Sequence, residues 1–290
     1  MNLSSSSDSR WSAITDNYII CDVCPRHCRI GPGKRGVCHA RENRVGKNIP
    51  ANYGYVTSIA LDPIEKKPLY RFHPGGKVLS FGSFGCNMRC PFCQNSSITT
   101  LESSHLADLI TPEEAAELCA RYRARGNIGA AFTYNEPMIG YEFVRDTAKL
   151  VREKGMYNAV VTNGNFERET LDEVLPYIDA FNIDLKCFTE SGYRSLGGNL
   201  ETVKNFIAAA AEKAHIEITT LIVPGLSDAD KDMRRETEWI ASISKSIPLH
   251  ITRFFPRHKM TDERPTDIAL MHRLADIASE ELEFVYLGNI

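Results

Sequence analysis

Apolar and polar positions change rhythm near Lys77. From there, short apolar runs rich in β-branched and aromatic residues alternate with longer stretches of helical period. The pattern predicts strands at 77–84, 128–133, 157–162, 180–184, 216–223 and 249–254. It predicts helices at 112–125, 138–154, 168–175, 200–213, 230–244 and 267–280, before a last apolar stretch at 284–287. Thr111 followed by Pro112 reads as the N-cap and first position of the first helix. Such alternation calls for an α/β fold, a parallel sheet with right-handed helical crossovers. Function in such folds sits at the carboxyl ends of the strands. The polar residues that interrupt the pattern fall where each strand stops.

The first quarter of the chain lacks this rhythm. Residues 1–20 begin with a Ser-rich stretch that has almost nothing to bury and read as a flexible tail. Residues 21–75 read as a cysteine-rich segment and connector, with a strand at 53–61 and a proline-bounded connection, Asp62 to Tyr70. Residues 76–290 form the expected core. A net charge of -3 gives no global field toward nucleic acid or an anionic membrane. No apolar run is long enough to span a bilayer and no charged-then-apolar leader opens the chain, so a cytoplasmic protein is expected. Seven of nine cysteines are clustered, which points to metal chemistry in a reducing compartment rather than to a disulfide scaffold.

Cys21, Cys24, Cys28 and Cys38 are threaded by Gly31, Pro32, Gly33 and Gly36. Four thiols with turn-forming spacers suggest a closed site, either structural zinc or an auxiliary iron-sulfur cluster. The cations Arg26, His27, Arg29, Lys34 and Arg35 either offset the charge of four thiolates on a metal or dock an acidic partner.

Cys86, Cys90 and Cys93 lie on a loop that Gly85 and Pro91 let bend. A cube of four irons held by only three thiolates keeps one iron open to a small ligand. A zinc site with a distant fourth ligand, or cysteines that only pack, remain open on spacing alone.

The three cysteines, with Phe92 before the last, resemble the cluster motif of the radical S-adenosylmethionine (SAM) superfamily. Asp62 to Tyr70, the four-cysteine segment and Cys93-Gln94-Asn95 are similar to its AmmeMemoRadiSam branch, near the pyruvate formate-lyase activating enzymes. The resemblance implies a partial (β/α)6 TIM-like barrel, a catalytic [4Fe-4S] cluster on Cys86, Cys90 and Cys93, and SAM chelated at the open iron. Reductive cleavage of SAM then gives a 5'-deoxyadenosyl radical that takes a hydrogen atom from substrate. The implied partners are a protein substrate, such as a glycyl radical enzyme, and a flavodoxin- or ferredoxin-type reductant. Another radical modification, or a noncatalytic metal-binding or electron-transfer protein, is the alternative.

Residue by residue, the resemblance assigns SAM contacts to Phe92, Asn135, Glu136, Asn163, Asp184, Lys186 and His258. Tyr134 and Asn135 replace the family's paired glycines before Glu136, and Val161 replaces an aspartate that serves a monovalent cation in the activating enzymes. The apolar strand ending Ile222-Val223 is expected to pack on adenine. Glu136 also reads as a helix cap, Asp184 and Lys186 as an internal ion pair, and Asn163 as part of a plain turn. Cys119 and Cys187 read as buried thiols.

Overall fold

A computed structural model describes residues 17–99, 105 and 107–290. The predicted tail therefore lies, up to residue 16, outside the described residues. The main sheet has eight strands, which we label β1 (Ser58–Pro63), β2 (Lys77–Gly82), β3 (Asn127–Thr133), β4 (Tyr157–Thr162), β5 (Ala180–Asp184), β6 (His215–Ile222), β7 (Leu249–Arg253) and β8 (Val285–Gly288). They lie side by side in chain order. β1 is antiparallel to β2, and every later pair is parallel.

Each of β2 to β7 is followed by helix: α1 (Pro112–Arg121), α2 (Tyr141–Glu153), α3 (Arg168–Val174), α4 (Glu190–Leu196) and α5 (Leu200–Ala211), α6 (Asp230–Ile243) and α7 (Ile268–Ser279). These are the six expected repeats. β1 and β8 extend the sheet at its two edges; β1 comes from the stretch read as strand and connector. Helices cover β5, so Phe181 and Ile183 are fully buried. Thr111 closes a capping box with Glu114, which fixes the start of α1. α4 is missing from the sequence expectation because Ser191 and Gly192 are poor helix formers; the Thr189 side chain caps it by accepting from Gly192 N.

The segment after β1 shows that the sheet is curled. The Tyr70 ring lies 5.0 Å from Tyr286 of β8. The chain from Pro63 to Tyr70 includes a 3-10 turn, Ile64–Lys66, and reaches only about 20 Å. A flat sheet would hold β1 and β8 roughly 34 Å apart. The crossing segment is fixed by buried Glu217 of β6, which accepts from Tyr70 N at 3.0 Å and Arg71 N at 2.7 Å. The same carboxylate meets His215 at 2.9 Å and His250 at 2.6 Å. These contacts hold Glu217 down at about 2 on the pKa scale, against its burial.

The cysteine-rich segment forms two small hairpin-like ladders, Ile19–Ile20 with Arg29–Ile30 and Arg41–Arg44 with Lys47–Pro50. It is bolted to the core. Arg41 donates to both carboxylate oxygens of Glu142 on α2 at 2.8 Å and to Ile139 O at 3.3 Å. Val23 O accepts from Glu167 N and from Thr170 Oγ1 at the start of α3.

Candidate active site

The loop after β2 carries Cys86, Cys90 and Cys93, and neighbouring strand-end loops hold it in place. Asn95 Nδ2 donates to Tyr134 O at 2.7 Å after β3, Arg89 N to Leu196 O at 2.8 Å after α4, and Lys259 N to Pro91 O at 2.9 Å after β7. Gly85 has φ +90, and a Cβ there would stand 2.5 Å from Cys38 O. A side chain at this position is excluded by backbone conformation and by space together. The cluster loop and the cysteine-rich segment thus touch backbone to backbone.

Cys86 Sγ accepts from Met88 N at 3.4 Å and from Asn163 Nδ2 at 3.8 Å. The three thiols lie within one another's electric field, together with Glu136, Asp184 and Lys186. Burial pushes the Cys90 thiol up to about 11, and the Lys186 ammonium works against that rise. Lys186 Nζ is 2.6 Å from Asp184 Oδ2, and the Lys186 pKa is raised although burial opposes its charge, because Asp184 faces it. A four-iron cube holds each thiolate on a separate iron, and three thiols on one loop faced by the Lys186 ammonium match that donor set.

Glu136 follows β3 and is 3% exposed. Its Oε1 accepts from Met138 N at 3.0 Å and Thr162 Oγ1 at 2.8 Å, and its Oε2 from Asn163 N at 2.7 Å. Burial pushes its pKa up to about 7, opposed by these three donors and assisted by Asp184. The helix-capping reading is therefore realised, and the same carboxylate lies beside the cluster thiols, where an ammonium ligand would restore its ionised form.

The strand-end residues Glu136, Asn163, Asp184 and Lys186 come together around Cys86 and Cys90. The Asn135 side chain turns inward instead, accepting from Ser83 N and donating to Phe84 O and Gly85 O, so it braces the cluster loop. Phe92 packs into the main core. His258 is exposed on the loop after β7, next to the Lys259 that grips Pro91. Val223 N donates to Ser227 Oγ, and Ile222 and Val223 are buried at the end of β6. Cys119 and Cys187 are fully buried.

Sequence reasoning gave no role to Asn87 or to the set around Asp62. Asn87 is fully buried and donates to Asn165 O at 2.8 Å, while its Oδ1 accepts from Asn163 at 2.8 Å. Asp62 takes Lys67 at 2.8 Å, Ser80 at 3.1 Å and the Tyr134 hydroxyl at 2.6 Å. Tyr134 thus stands at a glycine position of the motif as a tether between the end of β3 and β1. An Asn between two cysteines was the only available signal for the first, and a charged Asp beside Pro for the second.

The profile of the Radical SAM superfamily matches residues 81–237, which include the three-cysteine loop and the strand ends that converge on it. The chain belongs to the radical SAM superfamily. It is 39% identical over 97% of its length to the uncharacterized protein MJ0808 of Methanocaldococcus jannaschii, covering 84% of that protein. It is 26% identical to the pyruvate formate-lyase-activating enzyme of Clostridium pasteurianum over 72% of this chain and 87% of that one. The crystal structure of Streptococcus suis SuiB bound to precursor peptide SuiA superposes with a TM-score of 0.56 at 12% identity, covering 71% of this chain and 46% of SuiB, which supports the fold alone. Membership implies a [4Fe-4S] cluster and SAM. Among the described residues, no helix is long and apolar enough to cross a membrane.

Proposed function

We propose that this radical SAM chain uses a [4Fe-4S] cluster on Cys86, Cys90 and Cys93 to generate a hydrogen-abstracting radical that acts on a glycyl residue of a partner enzyme. When bound, the cluster with SAM supplies the electron and the radical. The protein's part is to bind and orient SAM: Glu136 accepts from its ammonium, Asn163 and the Asp184–Lys186 pair meet its polar groups, and the end of β6 offers an apolar wall. Asn135 contributes through the backbone, and Phe92 and His258 lie on the loops flanking the site. The observation that carries the reading is the convergence of Glu136, Asn163 and Lys186 on the thiols of Cys86 and Cys90. An electron carrier has no use for such a train of strand-end groups.

The glycyl substrate is supported by the relatives named as activating enzymes. The four-cysteine segment and the Asp62–Tyr70 crossing favour a second reading, radical modification of another protein in the manner of the AmmeMemoRadiSam branch. Zinc or an auxiliary iron-sulfur cluster is proposed for Cys21, Cys24, Cys28 and Cys38, and a flavodoxin- or ferredoxin-type protein as reductant.

Anaerobic incubation of the iron-loaded protein with SAM and dithionite should release 5'-deoxyadenosine, and Cys90→Ala should abolish both cluster colour and release. Loaded protein that yields none refutes the catalytic reading. Addition of a glycyl radical enzyme should then produce a protein-based radical signal; turnover without it on that substrate moves the choice to the second reading.

A further inference from the structure

We propose that the four-cysteine site holds a redox-active iron-sulfur cluster and that Asn87 is the bridge by which its electron reaches the catalytic cluster. This rests on the assignment of Cys86, Cys90 and Cys93 as the catalytic cluster ligands. Cys21, Cys24, Cys28 and Cys38 line one small cavity, and Asn87 forms part of the same wall. Asn87 and Cys24 line that cavity together. Asn87 Oδ1 accepts from Asn163 Nδ2 at 2.8 Å, and that amide reaches Cys86 Sγ at 3.8 Å. Buried Asn87 therefore stands between the four-cysteine cavity and the Asn163 amide that reaches Cys86.

The backbones are equally close, since the carbonyl of Cys38 abuts Gly85, the residue before Cys86. Arg26 fixes the bridge by donating to Asn87 O at 2.8 Å, and it too lines the four-cysteine cavity. Zinc does not change oxidation state, so it would gain nothing from this juxtaposition. Nor is a metal needed to attach the segment, which Arg41, Val23 and Asn52 already tie to the core.

The electron count is simple. An external one-electron carrier reduces the outer cluster; that cluster is reoxidised as the catalytic cluster takes the same electron, and no bond forms or breaks. Cys28 is the ligand that is not fully buried, and the neighbouring Arg29, Lys34 and Arg35 are exposed. The carrier that fits this rim is acidic.

The test uses the full chain, reconstituted anaerobically with iron and sulfide. The Cys86→Ala/Cys90→Ala/Cys93→Ala variant should retain roughly four irons and show a paramagnetic signal on reduction; zinc without iron overturns the proposal. In fully reduced wild-type protein the two centres should broaden each other's resonance, and two sharp, unperturbed signals overturn it without recourse to a bridge variant. In Asn87→Ala with unchanged iron content, freeze-quench spectra should show severalfold slower arrival of the electron from a ferredoxin-class donor at the catalytic cluster. An unchanged rate overturns the bridge. Failure of the catalytic assignment looks different: wild-type protein then gives no 5'-deoxyadenosine, while the outer signal persists in the triple variant.

Discussion

Replacing Gly85 with alanine should loosen the join between the cysteine-rich segment and the cluster loop. The residue has φ +90, which costs about 1 kcal/mol or more for any L side chain. The new methyl would stand 2.5 Å from Cys38 O, 2.9 Å from Ile139 Cδ1 and 3.3 Å from Ala40 Cβ. Ile139 can rotate, but a carbonyl in the chain cannot move without shifting Cys38, so overpacking adds roughly 1–3 kcal/mol. The sum, roughly 2–4 kcal/mol, corresponds to a fall of about 5–10 °C in Tm for a chain of this size. Thermal unfolding of anaerobically prepared protein measures it, with iron content read on the same sample. Gly75→Ala is the control: it has φ +80 but nothing within 4 Å of the added carbon, so it should show only the backbone part. Equal losses in the two variants, or an unchanged Tm for Gly85→Ala, would refute the steric reasoning.

Further outcomes follow from the buried charges. Glu217, held down from 4.5 to about 2, contributes stability that is fully present above pH 4.5 and lost as pH falls through 2; Glu217→Gln should cost about 3 kcal/mol at pH 7 in denaturant titrations, with the gap closing in acid. Glu236 on α6 is buried and, among the described residues, has the Thr220 hydroxyl as its hydrogen-bond partner, and burial pushes it from 4.5 up to about 8. Its favourable protonated form is lost as pH rises through 8, so Glu236→Gln should flatten a decline of a few kcal/mol between pH 5 and pH 9 that denaturant midpoints show in the wild type. Lys186→Met removes a cation facing Cys90 and Cys86, and should lower the catalytic cluster's midpoint potential by on the order of 100 mV in a redox titration followed by its spectrum; an unmoved potential would show that solvent screens this charge.

Much of the fold is legible in the sequence because burial on both faces forces continuous apolar runs at β2 to β7, with amphipathic helices between them. The cysteine loop is legible because close spacing and bends leave few alternatives. Pairings across long stretches of chain are not: Arg41 with Glu142, or Glu217 with Tyr70 and Arg71, join charges and backbone groups that look like ordinary surface features until the fold brings them together. Asn135 reads as a backbone contact through its place in a motif, and the motif carries no sign that its side chain braces the neighbouring loop. Asn87 carries no periodicity or charge that would mark it, so its place between two thiol sites emerges only in three dimensions.

The crossing segment from Ile64 to Tyr70 has a further consequence. Anchored at one rim of the sheet by Lys67 on Asp62, and reaching β8 at the other through the Tyr70 ring against Tyr286, it acts as a hoop across the sheet. The staves cannot spread to admit a bulky guest from below. Under the function proposed above, a protein substrate would have to present its reacting residue from the side of the sulfur-bearing loop.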